Sequence, residues 1–185
     1  MNKAGGKNTT INGKIFENLT SNDSDYEKIT TKVGSVKLEY YKKDNIILLR
    51  QSNFRKYIKK IYNIDIFRNP DEAYIIPTIN NLINIIIIEK KYQQTEGSVE
   101  TKLWSGPSLK REYEIVLGNN FKIDYCFVLN SYLHIKLKSN NQKYIILKQI
   151  LEENNITILF GEDINYFLQL NSMLTAVSSV NKNDY

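Results

Sequence analysis

The chain has 185 residues, 42% of them hydrophobic and 24% charged, which fits one globular domain and excludes a disordered chain. A single cysteine, Cys126, excludes an internal disulfide, and with a single histidine, His134, it excludes the usual structural zinc sets, so any metal must take oxygen ligands. The formal charge of +5 permits an anionic partner, no apolar run is long enough to span a bilayer, and "MNKAGGKNTT" lacks a secretory apolar stretch, so the expectation is an intracellular protein with no membrane partner.

In chain order, "INGKIFENLT" (11–20) spaces Ile11, Ile15, Phe16 and Leu19 as a first helix, with Thr10 available as its cap. "VKLEYY" and "NIILLRQ", joined by "KKDN", read as a hairpin, and Ser52 caps a basic amphipathic helix, "SNFRKYIKKIYNI". "DEAYIIP" and "NLINIIIIEKK" are two strands around a turn at 79–81 and form the expected centre of the sheet. Ser98 and Glu100 open a further helix, which Pro107 kinks or divides and Gly118 ends. "FKIDYCFVLN" is a strand, "QKYIILKQILEENN" a helix, "ITILFG" a buried strand and "EDINYFLQLNSML" a last helix. Helices alternating with strands after a central hairpin predict a single α/β domain over 1–185, a mixed sheet flanked by helices, with 1–8 and about 176–185 expected to fray.

Charge is concentrated. Residues 32–68 carry ten lysines and arginines against Glu39, Asp44 and Asp65, a local balance of +7. Interleaved with Tyr40, Tyr41, Phe54, Tyr57 and Tyr62, this segment reads either as a phosphate-binding face, led by Arg55, Lys56, Lys59 and Lys60, or as a solvated surface.

The isoleucines 85–88 run straight into Glu89, Lys90 and Lys91. On a strand, Glu89 and Lys91 share one face and Lys90 takes the other. A hairpin folded about Asn80 sets Asp71 directly opposite Glu89 and turns Glu72 away. Facing carboxylates destabilise a sheet unless something cationic lies between them, and magnesium, a hard ion with oxygen ligands, suits the place. Lysine beside it can hold or deprotonate a water and stabilise charge on a phosphorane-like transition state. A strand end that simply surfaces is the alternative for "EKK" alone; the matching "PD" across the hairpin argues against it.

"PDEAYIIPTINNLINIIIIEKK" resembles the signature of the PD-(D/E)XK nucleases, with Pro70 and Asp71 as its first element and Glu89, Lys90 and Lys91 as E-X-K. The resemblance extends over roughly residues 8–130. It implies that Glu17, on the first helix, completes a metal site with Asp71 and Glu89, and that Lys91 is catalytic. Gln93 or Gln94 matches a glutamine that often follows the lysine and is expected to touch nucleic acid. The fold implied is restriction-endonuclease-like, and the size resembles compact type II restriction endonucleases or related stand-alone enzymes.

The expected function is therefore an Mg2+-dependent DNA endonuclease, with Mn2+ as substitute, acting on double-stranded DNA, with a homodimer supplying two sites for two strands. A nucleic-acid-binding module that keeps the sheet without cleaving is the alternative. "GGKNTT" lacks the first glycine of a phosphate-binding loop and is set aside as a lead segment. His134 reads as surface or satisfied core, Cys126 as a buried small residue, and Trp104 as packing.

Overall fold

The structure is a computed structural model that describes residues 7–33, 36–78, 82–95, 97 and 99–179. Helix α1 (Lys7–Leu19) leads into five strands that pair antiparallel in succession: β1 (Glu27–Val33), β2 (Val36–Lys43), β3 (Ile46–Arg50), β4 (Glu72–Pro77) and β5 (Ile83–Lys91). Helix α2 (Ser52–Tyr62) is inserted between β3 and β4. Beyond β5 the pairing turns parallel, which requires crossovers rather than turns. Helices α3 (Val99–Trp104) and α4 (Gly106–Leu117) carry the chain to β6 (Phe121–Leu129), and α5 (Ser131–Lys138) and α6 (Gln142–Glu153) carry it to β7 (Ile156–Phe160). Helix α7 (Tyr166–Ser179) follows. The strands form one mixed sheet in chain order, β1 to β7, flanked by helices as the sequence predicts.

The central strands are apolar on both sides because both faces are covered. Ile85 and Ile87 face Leu49, Ile75, Tyr125 and Phe127 under helices α2, α4, α5 and α6, while Ile86 and Ile88 face Leu48, Tyr74, Cys126 and Val128 under α1 and α7. All four isoleucines are fully buried. Together they contribute on the order of 6–12 kcal/mol, an upper bound from transfer from water, which makes β5 a firm support for whatever follows it. Helix α4 starts so close to β6 that a Cβ at Gly106 would lie 2.8 Å from Phe127 Cε2, so only glycine fits there. The expected break at Pro107 falls between α3 and α4, and Trp104 packs against the core.

Several local expectations are corrected. Strand β1, "EKITTKV", is absent from the sequence prediction: it is an edge strand whose described side chains are exposed or half-buried, so it carries no periodic apolar signal. Helix α5 is a second addition, although Leu133 and Leu137, one helical turn apart, are both buried. Thr10 lies inside α1 rather than before it, and of that helix's apolar residues only Phe16 is buried, with Ile11, Ile15 and Leu19 exposed. Ser52 is the first residue of α2, not its cap: Gln51, at φ 46°, turns the chain into the helix and donates its N–H to the Pro70 carbonyl. Helix α7 extends through 176–179, where the sequence predicts fraying. The turn at 79–81 with Asn80, the cap Ser98 and the extreme ends 1–6 and 180–185 lie outside the described residues. No helix among the described residues is long and apolar enough to cross a membrane.

Candidate functional site

Strand β5 outlasts the core, and its last residues alternate between the two faces of the sheet. In the β4–β5 ladder Glu72 pairs with Ile88 and Ala73 with Ile87, the register of a hairpin centred on Asn80. One residue further out, that register sets Asp71 across from Glu89, on the face of Ile85 and Ile87. The Lys90 N–H donates to Asp71 Oδ2 at 2.7 Å and ties the aspartate to β5. Lys91 Nζ lies 2.5 Å from Glu89 Oε2 and 3.5 Å from Asp71 Oδ2, so one ammonium bridges both carboxylates. The expected convergence of Asp71, Glu89 and Lys91 is present.

These side chains keep 23% (Asp71), 18% (Glu89) and 12% (Lys91) of their surface open. A ligand can reach them, while water screens their charges only weakly. Burial holds the Glu89 carboxyl above the usual range although Lys91 pulls the other way. Lys91 is disfavoured by its own burial, but the Glu89 and Asp71 carboxylates outweigh this and raise its ammonium. Tyr113 and Tyr125, buried on the same face, have hydroxyls with no hydrogen-bond partner among the described residues, and rings 6.4 Å apart. Burial, and next the Glu89 charge, push both phenols up, so they are neutral donors close to a carboxylate.

Lys90 points to the opposite face and is sealed there. Its Nζ lies 2.8 Å from Glu72 Oε1, donates to Ser21 Oγ at 2.8 Å and donates to the Glu17 carbonyl at 2.9 Å. Ser21 Oγ in turn lies 2.6 Å from Glu72 Oε1, and Arg50 approaches the same carboxylate at 3.3 Å and Asp23 at 3.2 Å. The side chains of Lys90 and Glu72 are only 1% and 2% exposed. Burial lowers the Lys90 ammonium, with Glu72 opposing that shift. This pair fastens the end of α1 to the sheet and thereby places Glu17.

Glu17 is half-buried and its carboxyl is raised, first by burial and then by the Asp71 charge, so it stands near the Asp71 end of the cluster. A recess of about 250 Å³, lined among others by Glu17, Ser21, Arg50, Asp71, Glu72 and Lys90, opens there. Among the described residues, no group of three or more acidic, histidine or cysteine side chains is gathered closely enough to hold a metal ion. The set Glu17, Asp71 and Glu89 is therefore not assembled as one ligand cage. Asp71 and Glu89 by themselves fit a hard divalent cation, because they already share one positive charge, and all their donors are oxygens.

The cations expected to face nucleic acid, Arg55, Lys56, Lys59 and Lys60, are all exposed on α2. Gln93 is 4% exposed: its amide donates to the Thr95 carbonyl, and its backbone is clasped by the Asn130 side chain, so it locks the exit of β5. Gln94 beside it is exposed. Sequence reasoning missed the Glu72–Lys90 pair and the two tyrosines. The first had a signal, since the Asn80 register puts Glu72 and Lys90 on one face; the tyrosines, on α4 and β6, had none.

No protein-family model, curated protein or solved structure matches the chain. What the site can do follows from its own geometry.

Proposed function

We propose that the chain is a divalent-metal-dependent DNA endonuclease that hydrolyses phosphodiester bonds, with a site resembling that of the PD-(D/E)XK nucleases. The observation that carries this reading is the meeting of Asp71 and Glu89 across the β4–β5 hairpin with Lys91 between them. The mixed sheet flanked by helices is compatible with it. Finer readings, a compact type II restriction endonuclease and a homodimer cutting both strands, rest on the sequence resemblance alone.

In this mechanism Asp71 and Glu89 would hold Mg2+ or Mn2+, which would supply positive charge at the phosphate and acidify a water. Lys91 donates from its ammonium to the attacking water or a phosphate oxygen, orienting the one and offsetting charge on the other as the new P–O bond forms and the old one breaks. Glu17, held beside Asp71 by the Lys90 clamp, accepts a proton at its carboxylate. Tyr113 and Tyr125, neutral and buried on the same face, supply the apolar side of the site, while Glu89 stays open to a ligand. The exposed cations of α2 attract the DNA backbone.

Incubating the protein with supercoiled plasmid tests this. Nicking or linearisation in Mg2+ or Mn2+ that stops with EDTA is the expected outcome. Intact plasmid in both metals, or full cleavage in EDTA, would remove the proposal.

A further inference from the structure

The cations of α2 do more than decorate a convex helix. They rim a groove of about 480 Å³ between α2 and β2. Leu38 and Ile66, 2% and 5% exposed, show only their tips at its bottom, so its apolar wall is chiefly the methylene stems of the exposed Arg55, Lys56, Lys59 and Lys60, whose charged ends form its edge. The acid of the lining, Asp65, is already paired with Lys59 at 2.6 Å. Binding a duplex backbone requires cations but no apolar recess, since the bases of a duplex stay stacked inside it. An apolar bottom within a cationic rim, in a volume typical of a small-molecule site, matches a ligand that is planar and apolar at one end and anionic at the other.

The groove also has an address. Ser52 lines it and lines the recess that holds Asp71, so the two cavities share a wall. A strand whose phosphate lies at Asp71 can lay a neighbouring nucleotide over Ser52 and into the groove.

We propose that the groove between α2 and β2 binds one unpaired nucleotide of the DNA strand, with its base against the side-chain stems above Leu38 and Ile66 and its phosphate on the charged ends of the α2 cations. This deepens the nuclease reading and rests on it for the identity of the strand. It implies a preference for DNA with a single-stranded tail, a gap or a mismatch over fully paired DNA.

The test compares a blunt hairpin duplex with the same duplex carrying a short thymidine tail, using the wild-type protein in Ca2+. Seating one base is expected to tighten binding by about tenfold, toward the low end of what a stacked base contributes, since Leu38, Ile66 and the α2 cations offer no aromatic ring. A 5-iododeoxyuridine in the tail should crosslink on irradiation within residues 52–66. Ser52→Trp, an exposed position whose indole fills the groove, should bring the tailed duplex to the affinity of the blunt one. Equal affinity for both duplexes, crosslinks that map elsewhere, or free thymidine monophosphate competing as well as the tailed duplex would each overturn the proposal. Cleavage in Mg2+ without tail preference would sink the groove and keep the nuclease. Tail preference without cleavage of any DNA would do the reverse.

Discussion

Two lysines that follow one another in the chain, Lys90 and Lys91, finish in opposite circumstances. Lys90 is enclosed with Glu72 and Ser21 on the α1 face, each charge met by a partner. Lys91 stands on the α4 face between two carboxylates that remain open to a ligand. One cation thus closes a structural joint, and the other keeps two acids together that would otherwise repel. The difference comes from strand alternation alone, which sends neighbours to different surroundings. It teaches that charge at a strand end has no meaning until its face is known.

The largest effect is expected on the sealed side. Lys90→Met leaves Glu72 buried with its main partner gone and should cost roughly 3–5 kcal/mol in urea unfolding, whereas Lys90→Met combined with Glu72→Leu should recover most of that loss. A single variant as stable as wild type would mean the pair is not the joint described here. For the same reason Lys90→Ala cannot serve as a neutral control for Lys91.

Next comes the open side. Lys91→Ala should slow single-turnover cleavage in Mg2+ on the order of 10²-fold or more while changing DNA affinity in Ca2+ far less. Asp71→Asn should abolish cleavage with the fold intact by circular dichroism. If Lys91→Ala cuts normally once saturated, the two faces do not differ in the way proposed, and Lys91 is only a surface cation.

The smallest effect sharpens the comparison by locating affinity on neither lysine. Replacing Arg55, Lys56, Lys59 and Lys60 together by alanine should flatten the plot of log K against log salt by about 0.9 for each duplex phosphate that the variant no longer neutralises. An unchanged slope would move the DNA away from α2.

The Asn80 register was legible from the turn expected at 79–81 between two apolar runs, and not from alternation, because β4 and β5, six and nine residues long, are buried on both faces; a slip by one would have turned Asp71 and Glu72 over. From it followed Asp71 facing Glu89 and the separation of Lys90 from Lys91. The joint to α1 was less legible, since Ser21 and Lys90 lie far apart in sequence, and α1's apolar spacing pointed to Ile11, Ile15 and Leu19, which are exposed. Gln93 illustrates the limit of local reading: its polarity and place after the lysine say ligand, while the Asn130 clasp, invisible before β6 is placed, holds it in the interior. The tyrosines near Glu89 arrive by the parallel crossover, a pairing that periodicity does not specify.

A sheet whose strands lie in chain order can be assembled from one end. Each new strand finds its partner in the strand made just before it, so closing each pair requires only a short loop, the α2 excursion between β3 and β4, or a single crossover, and the pairing stays between successive strands. During synthesis, at roughly 5–20 residues per second, the β3–β4–β5 meander with Asp71, Glu89 and Lys91 can form before β6 leaves the ribosome. Until then the isoleucine-rich edge of β5 has no neighbour, and an unpaired apolar edge readily adds a strand from another chain. The interval between residues 91 and 121 is therefore the period in which a nascent chain is most exposed to association with its own kind.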